Sequence, residues 1–434
     1  MPVLFDRSAG LSRLRVLIAA CLSVCVAGLD GTANAAAPPP AFVHPGVLLD
    51  AAHLEYLKTQ IDVGTEPYTS AFEAAKTSRW GSPKYVIQGP PANGVIACGS
   101  DAPERGCIQE DNDASAAYLQ ALLWALSGDE RYAHNAIAIM NRYARVLRSH
   151  TGSNAALQAA WGAEKWPAAA EIMRYTYADW SDKDFAAFTK MLREKYLPLL
   201  TNGAEAGKNG SWALSMIDGT LGIAVVSDDH ALFDQTVARW QRWVPAYFYN
   251  FELDGPHPVM LPEGPADWNG QTHFDAHTSG VTQESCSDTQ HVQIALAATI
   301  NAAETAYIQG VDLYTPAAIR LTGSLEYLAR MLQGVHNNAL SDNPKHKAQV
   351  PIPPGFPGLC DGHAYTPVLT GTMERAYNAY AIRLGIALPH TRAHLLEDVR
   401  PYAQPNDGHN ILWETLTHGA LLDSAPDGGD APSQ

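Results

Sequence analysis

From about Ala114 onward the chain is a succession of apolar-periodic runs joined by short turns, and this pattern constrains its fold more than any other feature. The runs cover 116–129, 131–147, 166–180, 182–200, 211–227, 230–248, a stretch ending near Gln309, 316–334 and 372–385. Apolar residues recurring at i, i+3 and i+4 predict helices with one buried face. Pro167 is read in the first turn of the third run, where a missing N–H costs nothing. Short turns make successive helices antiparallel neighbours. The expected fold is therefore all-α, an (α/α) toroid: an incomplete barrel of helical hairpins. Strand signals are sparse. Three long polar stretches, Lys84–Asn112, Asn250–Gln283 and Asn337–Thr370, are rich in Gly, Pro, Asn and His. Loops of that length in a compact domain are usually functional, and they are expected to line one mouth of the toroid as the substrate groove.

The N-terminus reads as a targeting segment. Arg7, Arg13 and Arg15 precede the apolar run 16–29, and Ala33-Asn34-Ala35 forms a small-x-small cleavage site. The expected organisation is a signal peptide over 1–37, a single domain over 38–423 and a loose tail over 424–434, in a periplasmic or secreted monomer. No other stretch approaches the length of a membrane span. Hydrophobic residues make up 46% and charged residues 17%, enough for a large core. The formal net charge of −16 argues against binding nucleic acid or an anionic membrane surface. Export would remove Cys21 and Cys25, leaving Cys98, Cys107, Cys286 and Cys360, which allow three complete pairings. The short separation of Cys98 and Cys107, in a Gly/Pro/Asp loop, favours a local bridge. Cys286–Cys360 would then be long-range. No CxxC is present, and no metal or cofactor is expected.

One stretch stands out. GVTQESCSDTQHVQ, 280–293, leads straight into an apolar, Ala-rich helix. Ser287 through Gln290 fits a capping box with Ser287 as the cap. If helical geometry reached back to Glu284, then Glu284, Asp288 and His291 would share one face. Capping accounts for Ser287, Asp288 and Gln290. It leaves His291 as either a site residue or a buried, hydrogen-bonded histidine.

Three segments, 154–175, 209–229 and 280–314, resemble the secreted alginate-lyase-domain proteins, and in particular polysaccharide lyase family thirty-eight. The likeness extends over most of 44–400. It implies an (α/α) toroid that cleaves alginate or glucuronan by β-elimination without an essential cofactor, with an anionic polysaccharide as partner. Such a site must neutralise the uronate carboxylate, remove the C5 proton and protonate the leaving O4. Carried over by position, Asn209 matches the carboxylate-neutralising asparagine and His291 the family histidine. Asn209 also stands where a helix N-cap would. Trp212, Glu284, Asp288 and Gln290 are substrate-binding candidates, with His273 in the preceding loop. The family pattern departs here at Ser211, Ser287 and Gln290, and the tyrosine that relatives place near the start of this helix is absent. Tyr247 and Tyr249 are the substitutes. His273 and His277 have metal-like spacing but no helical pattern around them. Arg79, Lys84, Arg105, Lys165 and Lys208 could form a local basic groove despite the acidic total. Two other readings are open: a glycoside hydrolase using carboxylates among Asp254, Glu263, Asp267 and Asp275, and a non-catalytic polysaccharide-binding protein.

Overall fold

The computed structural model describes residues 40–99, 103–335, 350–402, 409 and 413–422. The expected signal peptide and tail lie outside the described residues. The described residues from 41 onward belong to one compact unit, and no helix among them is long and apolar enough to cross a membrane.

The fold is an (α/α) toroid. After two helices, α1 (Ala51–Asp62) and α2 (Tyr68–Thr77), come pairs in which a nearly fully buried helix precedes an amphipathic one. The buried members are α3 (Cys107–Ser127), α5 (Ala155–Thr176), α8 (Gly210–Val226) and α11 (Thr289–Ile308). Their partners are α4 (Glu130–Val146), α6 (Asp182–Met191), α9 (His230–Tyr247) and α12 (Tyr314–Leu332), with the short helices α7 (Leu197–Thr201) and α10 (Phe251–Asp254) in the connections. Every residue of α8 except Trp212 is buried. A helix apolar on all sides has to be walled in by others, and here α3, α5, α8 and α11 form the inner ring.

The inner helices run in one direction. A Cβ on Gly219 would lie 2.7 Å from Ala163 Cβ, and one on Gly222 would lie 3.0 Å from Pro167 Cβ. Sequence numbers rise together along both helices, so α5 and α8 are parallel, and only glycine allows this closeness. The same order holds for α3 and α5, where Glu110 meets Gln158 and Trp124 meets Thr176, and for α8 and α11, where Gly210 meets Gln283 and Asp218 meets Asn301. The inner helices therefore start at the same mouth, and the stretches 84–99 and 255–288 lead toward those starts.

Pro167 corrects the expected boundaries. It lies in the interior of α5, which begins at Ala155 rather than near Trp166. The Ala-rich run before the proline is helical in its own right and fully packed, and that outweighs the local cost of a proline. The helix Cys107–Ser127 likewise starts inside a stretch expected to be loop. Among the described residues, strand is confined to two-stranded pieces: Gly46–Val47 with Leu49–Asp50, and Val95–Ala97 with Ser149–Thr151. Both bridges are present, Cys98–Cys107 and Cys286–Cys360, with Cα–Cα distances of 5.9 and 5.3 Å.

Candidate active site

The segment 280–288 does not continue α11 backwards. The helix begins at Thr289 with Asp288 as its N-cap, accepting from the His291 backbone N–H at 2.9 Å. Ser287 is not the cap; its N–H donates to Glu284 O in a preceding turn at 2.9 Å. Glu284 thus shares no helical face with His291. It reaches the same place through tertiary contacts.

Asp288 also holds the His291 ring: Nδ1 lies 2.9 Å from both carboxylate oxygens. The imidazole is 40% exposed, whereas the carboxylate is nearly covered. With Nδ1–H donated to Asp288, a neutral His291 carries its lone pair on Nε2.

Glu284 is buried, and burial pushes its carboxyl above the usual carboxylate range. His291 and hydrogen bonds from Ser211, Tyr247 and Asn209 pull it back down. The Tyr247 hydroxyl donates to Glu284 Oε2 at 2.9 Å. That hydroxyl is fully buried, and desolvation together with Glu284 raises it well above an ordinary tyrosine. Glu284 is thus held in the wall of the site by neutral donors.

Asn209 occupies the N-cap position of α8 but makes no side-chain capping bond. The Gly210 N–H donates instead to Gln283 Oε1 at 2.5 Å. The Asn209 amide points elsewhere: Oδ1 accepts from Asn269 Nδ2 at 3.2 Å, and the amide lies close enough to Glu284 to help lower that carboxyl. Asn269 adopts φ +53 in a turn closed by its own N–H on Asp267 Oδ1 at 2.9 Å. Its side chain also donates to the Gln283 carbonyl at 2.9 Å.

Asn209, Tyr247, Glu284, Asp288 and His291 therefore form one connected cluster where α8 and α11 begin. Gln290 is half-buried in the first turn of α11. Trp212, the one partly exposed residue of α8, carries Lys208 Nζ 5.0 Å from its ring centroid. Two candidates stand apart. The Tyr249 hydroxyl donates to Gly255 O at 2.6 Å and its ring belongs to a second core with Trp268 and Phe274; desolvation pushes it up to about 12. His273 is exposed and pairs with Asp361 on the loop tied down by Cys286–Cys360. Lys165 is buried on α5 and donates to Trp161 O at 2.9 Å, so it adds nothing to a surface groove. No group of metal-binding side chains occurs among the described residues.

Beneath the cluster, a buried polar ladder crosses the inner ring. Asn301 Nδ2 donates to Asp218 Oδ2 at 2.9 Å, Arg375 reaches Asn301 Oδ1, and Arg375 Nη1 lies 3.4 Å from Glu414. Burial pushes Asp218 up to about 8, opposed by Asn301, Arg375 and Lys165.

Sequence reasoning missed Asn269 and Gln283, both of which hold Asn209 or the start of its helix. The Asn269-Gly270 dipeptide signalled a turn, but nothing local showed which residue it would face.

The family model described as Alginate lyase matches residues 69–261. Among solved structures, a histidine-to-alanine variant of alginate lyase A1-III in its apo form is 15% identical, covering 87% of this chain and 96% of its own, with a TM-score of 0.54. The same variant complexed with a tetrasaccharide is 15% identical, covering 80% and 90%, with a TM-score of 0.53. Alginate lyase A1-III from Sphingomonas species A1 is 14% identical, covering 68% and 80%, with a TM-score of 0.49. No curated protein matches the chain. At these identities the structural likeness is one of fold.

Proposed function

We propose that this chain, an alginate-lyase-domain protein, cleaves a 1,4-linked uronic-acid polymer, alginate or glucuronan, by β-elimination. The observation that carries the reading is the Asp288 clamp on the exposed His291 ring, which fixes its tautomer, with His291 and Asn209 both acting on the buried Glu284.

The chemistry follows from those groups. The Asn209 amide, its oxygen turned to Asn269, offers an N–H to the uronate carboxylate, whose charge grows as C5 loses its proton. His291 Nε2 takes the C5 proton. The C5–H electron pair becomes the C4–C5 double bond as the C4–O4 bond breaks. The imidazolium, stabilised by Asp288, then returns the proton to O4. Tyr247 serves by holding Glu284, and Gln290 and Trp212 border the space beside His291 and Asn209.

The acidic total charge does not oppose a polyanionic substrate. The inner helices all start at this mouth, and each start carries the positive end of a helix dipole. Lys208, beside Asn209, adds a full positive charge. The hydrolase reading is weaker, because its carboxylates already have structural partners. Asp254 is paired with Arg320 at 2.6 Å, Glu263 pairs with Arg242, and Asp267 and Asp275 close turns at 2.9 and 2.8 Å. Incubation with alginate and with glucuronan, read by ultraviolet absorbance of unsaturated uronate ends, tests the proposal. New reducing ends without that absorbance would establish hydrolysis instead.

A further inference from the structure

We infer that Asn269 is a positioning residue for this reaction: it fixes the orientation of the Asn209 amide so that an N–H, and not the carbonyl oxygen, is offered to the substrate carboxylate. The inference rests on the lyase reading of the site.

An asparagine amide that can flip is a poor donor, because half of its orientations present oxygen to an anion. Here the flip is opposed by Asn269, whose Nδ2, a donor, faces Oδ1 at 3.2 Å. Reversing the Asn209 amide would set N–H against N–H. Asn269 is itself fixed, since its second N–H goes to the Gln283 carbonyl at 2.9 Å. Gln283 in turn receives the first N–H of α8 through its side chain at 2.5 Å. The loop before α11 thus reads the start of α8 through two adjoining amides. The left-handed backbone at Asn269, φ +53, is one that asparagine tolerates better than most residues. The turn that imposes it aims the side chain at Asn209.

Asn269→Asp reverses the contact at almost constant volume. An acceptor then faces Oδ1, so the Asn209 amide turns its N–H groups toward position 269 and presents oxygen to the substrate carboxylate. We expect kcat to fall about a hundredfold with little change in KM, the loss typical of one missing oxyanion donor. Protonating the new carboxyl restores a donor, so the ratio of variant to parent rate should rise as pH falls. A residue with a merely structural role would give a ratio flat in pH. Asn269→Gly keeps the left-handed turn and removes the donor; it should lose kcat by a smaller factor at an unchanged melting temperature. The Asn209 side-chain amide resonances, read by NMR on selectively labelled protein, report the orientation without turnover and should shift in Asn269→Asp. Parent rate in Asn269→Asp, a ratio independent of pH, or unchanged resonances would overturn the inference. Parent and Asn209→Ala are assayed alongside. Equal rates in those two would sink the lyase reading of Asn209 itself, while the resonances would still decide whether Asn269 orients it.

Discussion

Asp288 binds His291 twice: its carboxylate caps the helix by accepting the His291 backbone N–H at 2.9 Å and holds the ring Nδ1 at 2.9 Å. One side chain therefore starts α11 and sets the tautomer of the imidazole. Asn caps helices about as well as Asp, so Asp288→Asn separates the two roles. We expect a melting temperature close to the parent's and a clearly reduced kcat. Equal losses in both would mean that capping is the whole role.

Tyr247 and Tyr249 lie two residues apart and should behave differently. Tyr247→Phe removes a buried hydrogen bond to a carboxylate, which is worth about 1.5–3 kcal/mol, and should lower both stability and rate because Glu284 loses a donor. Tyr249→Phe removes a bond to the Gly255 carbonyl. It should cost about 1 kcal/mol and leave the rate intact. A dead Tyr249→Phe with an active Tyr247→Phe would reverse this assignment.

The bridge Cys286–Cys360 ends two residues before Asp288 and joins the loop carrying Gln271 and His273 to the segment 356–363. Replacing both cysteines by serine should lower stability by about 2–4 kcal/mol. Activity should fall further than stability accounts for, because the lead-in to His291 loses its tether. Removing Cys98–Cys107 should lower the melting temperature with less effect on rate.

Asp218 gives a pH signature. Its carboxyl is raised from 3.8 to about 8 in the folded chain. Between those values the folded state holds a proton that the unfolded state has lost, so this group's contribution to stability is full at low pH and declines as pH rises toward 8. The slope is at most ~1.4 kcal/mol per pH unit for one group. Asp218→Asn should flatten the decline, measured by urea unfolding at several pH values. An unchanged profile would show that Asp218 stays ionised.

The helical architecture was legible because inner and outer helices leave different marks: an unbroken apolar run such as 211–227 against the i, i+3, i+4 pattern of 182–200. Boundaries were less so. Pro167 looked like a helix start, because its tolerance inside α5 depends on packing against Gly222, which lies on another helix. Ser287 looked like the cap because the four-residue pattern fitted, but the backbone placed Asp288 there. Glu284 and His291 do come together, though across a turn rather than along a helical face. Asn269 and Gln283 were invisible, since their roles exist only once the loop before α11 folds against the start of α8.

The most direct test of the account compares parent and His291→Gln on alginate and glucuronan, following unsaturated-uronate absorbance, with circular dichroism and melting temperature on the same preparations. Glutamine keeps much of the size and hydrogen bonding but cannot titrate near neutrality. The parent should form unsaturated ends on at least one polymer, and His291→Gln, folded and equally stable, should be slower by at least about a hundredfold. Unsaturated ends formed at the parent rate by His291→Gln would contradict this.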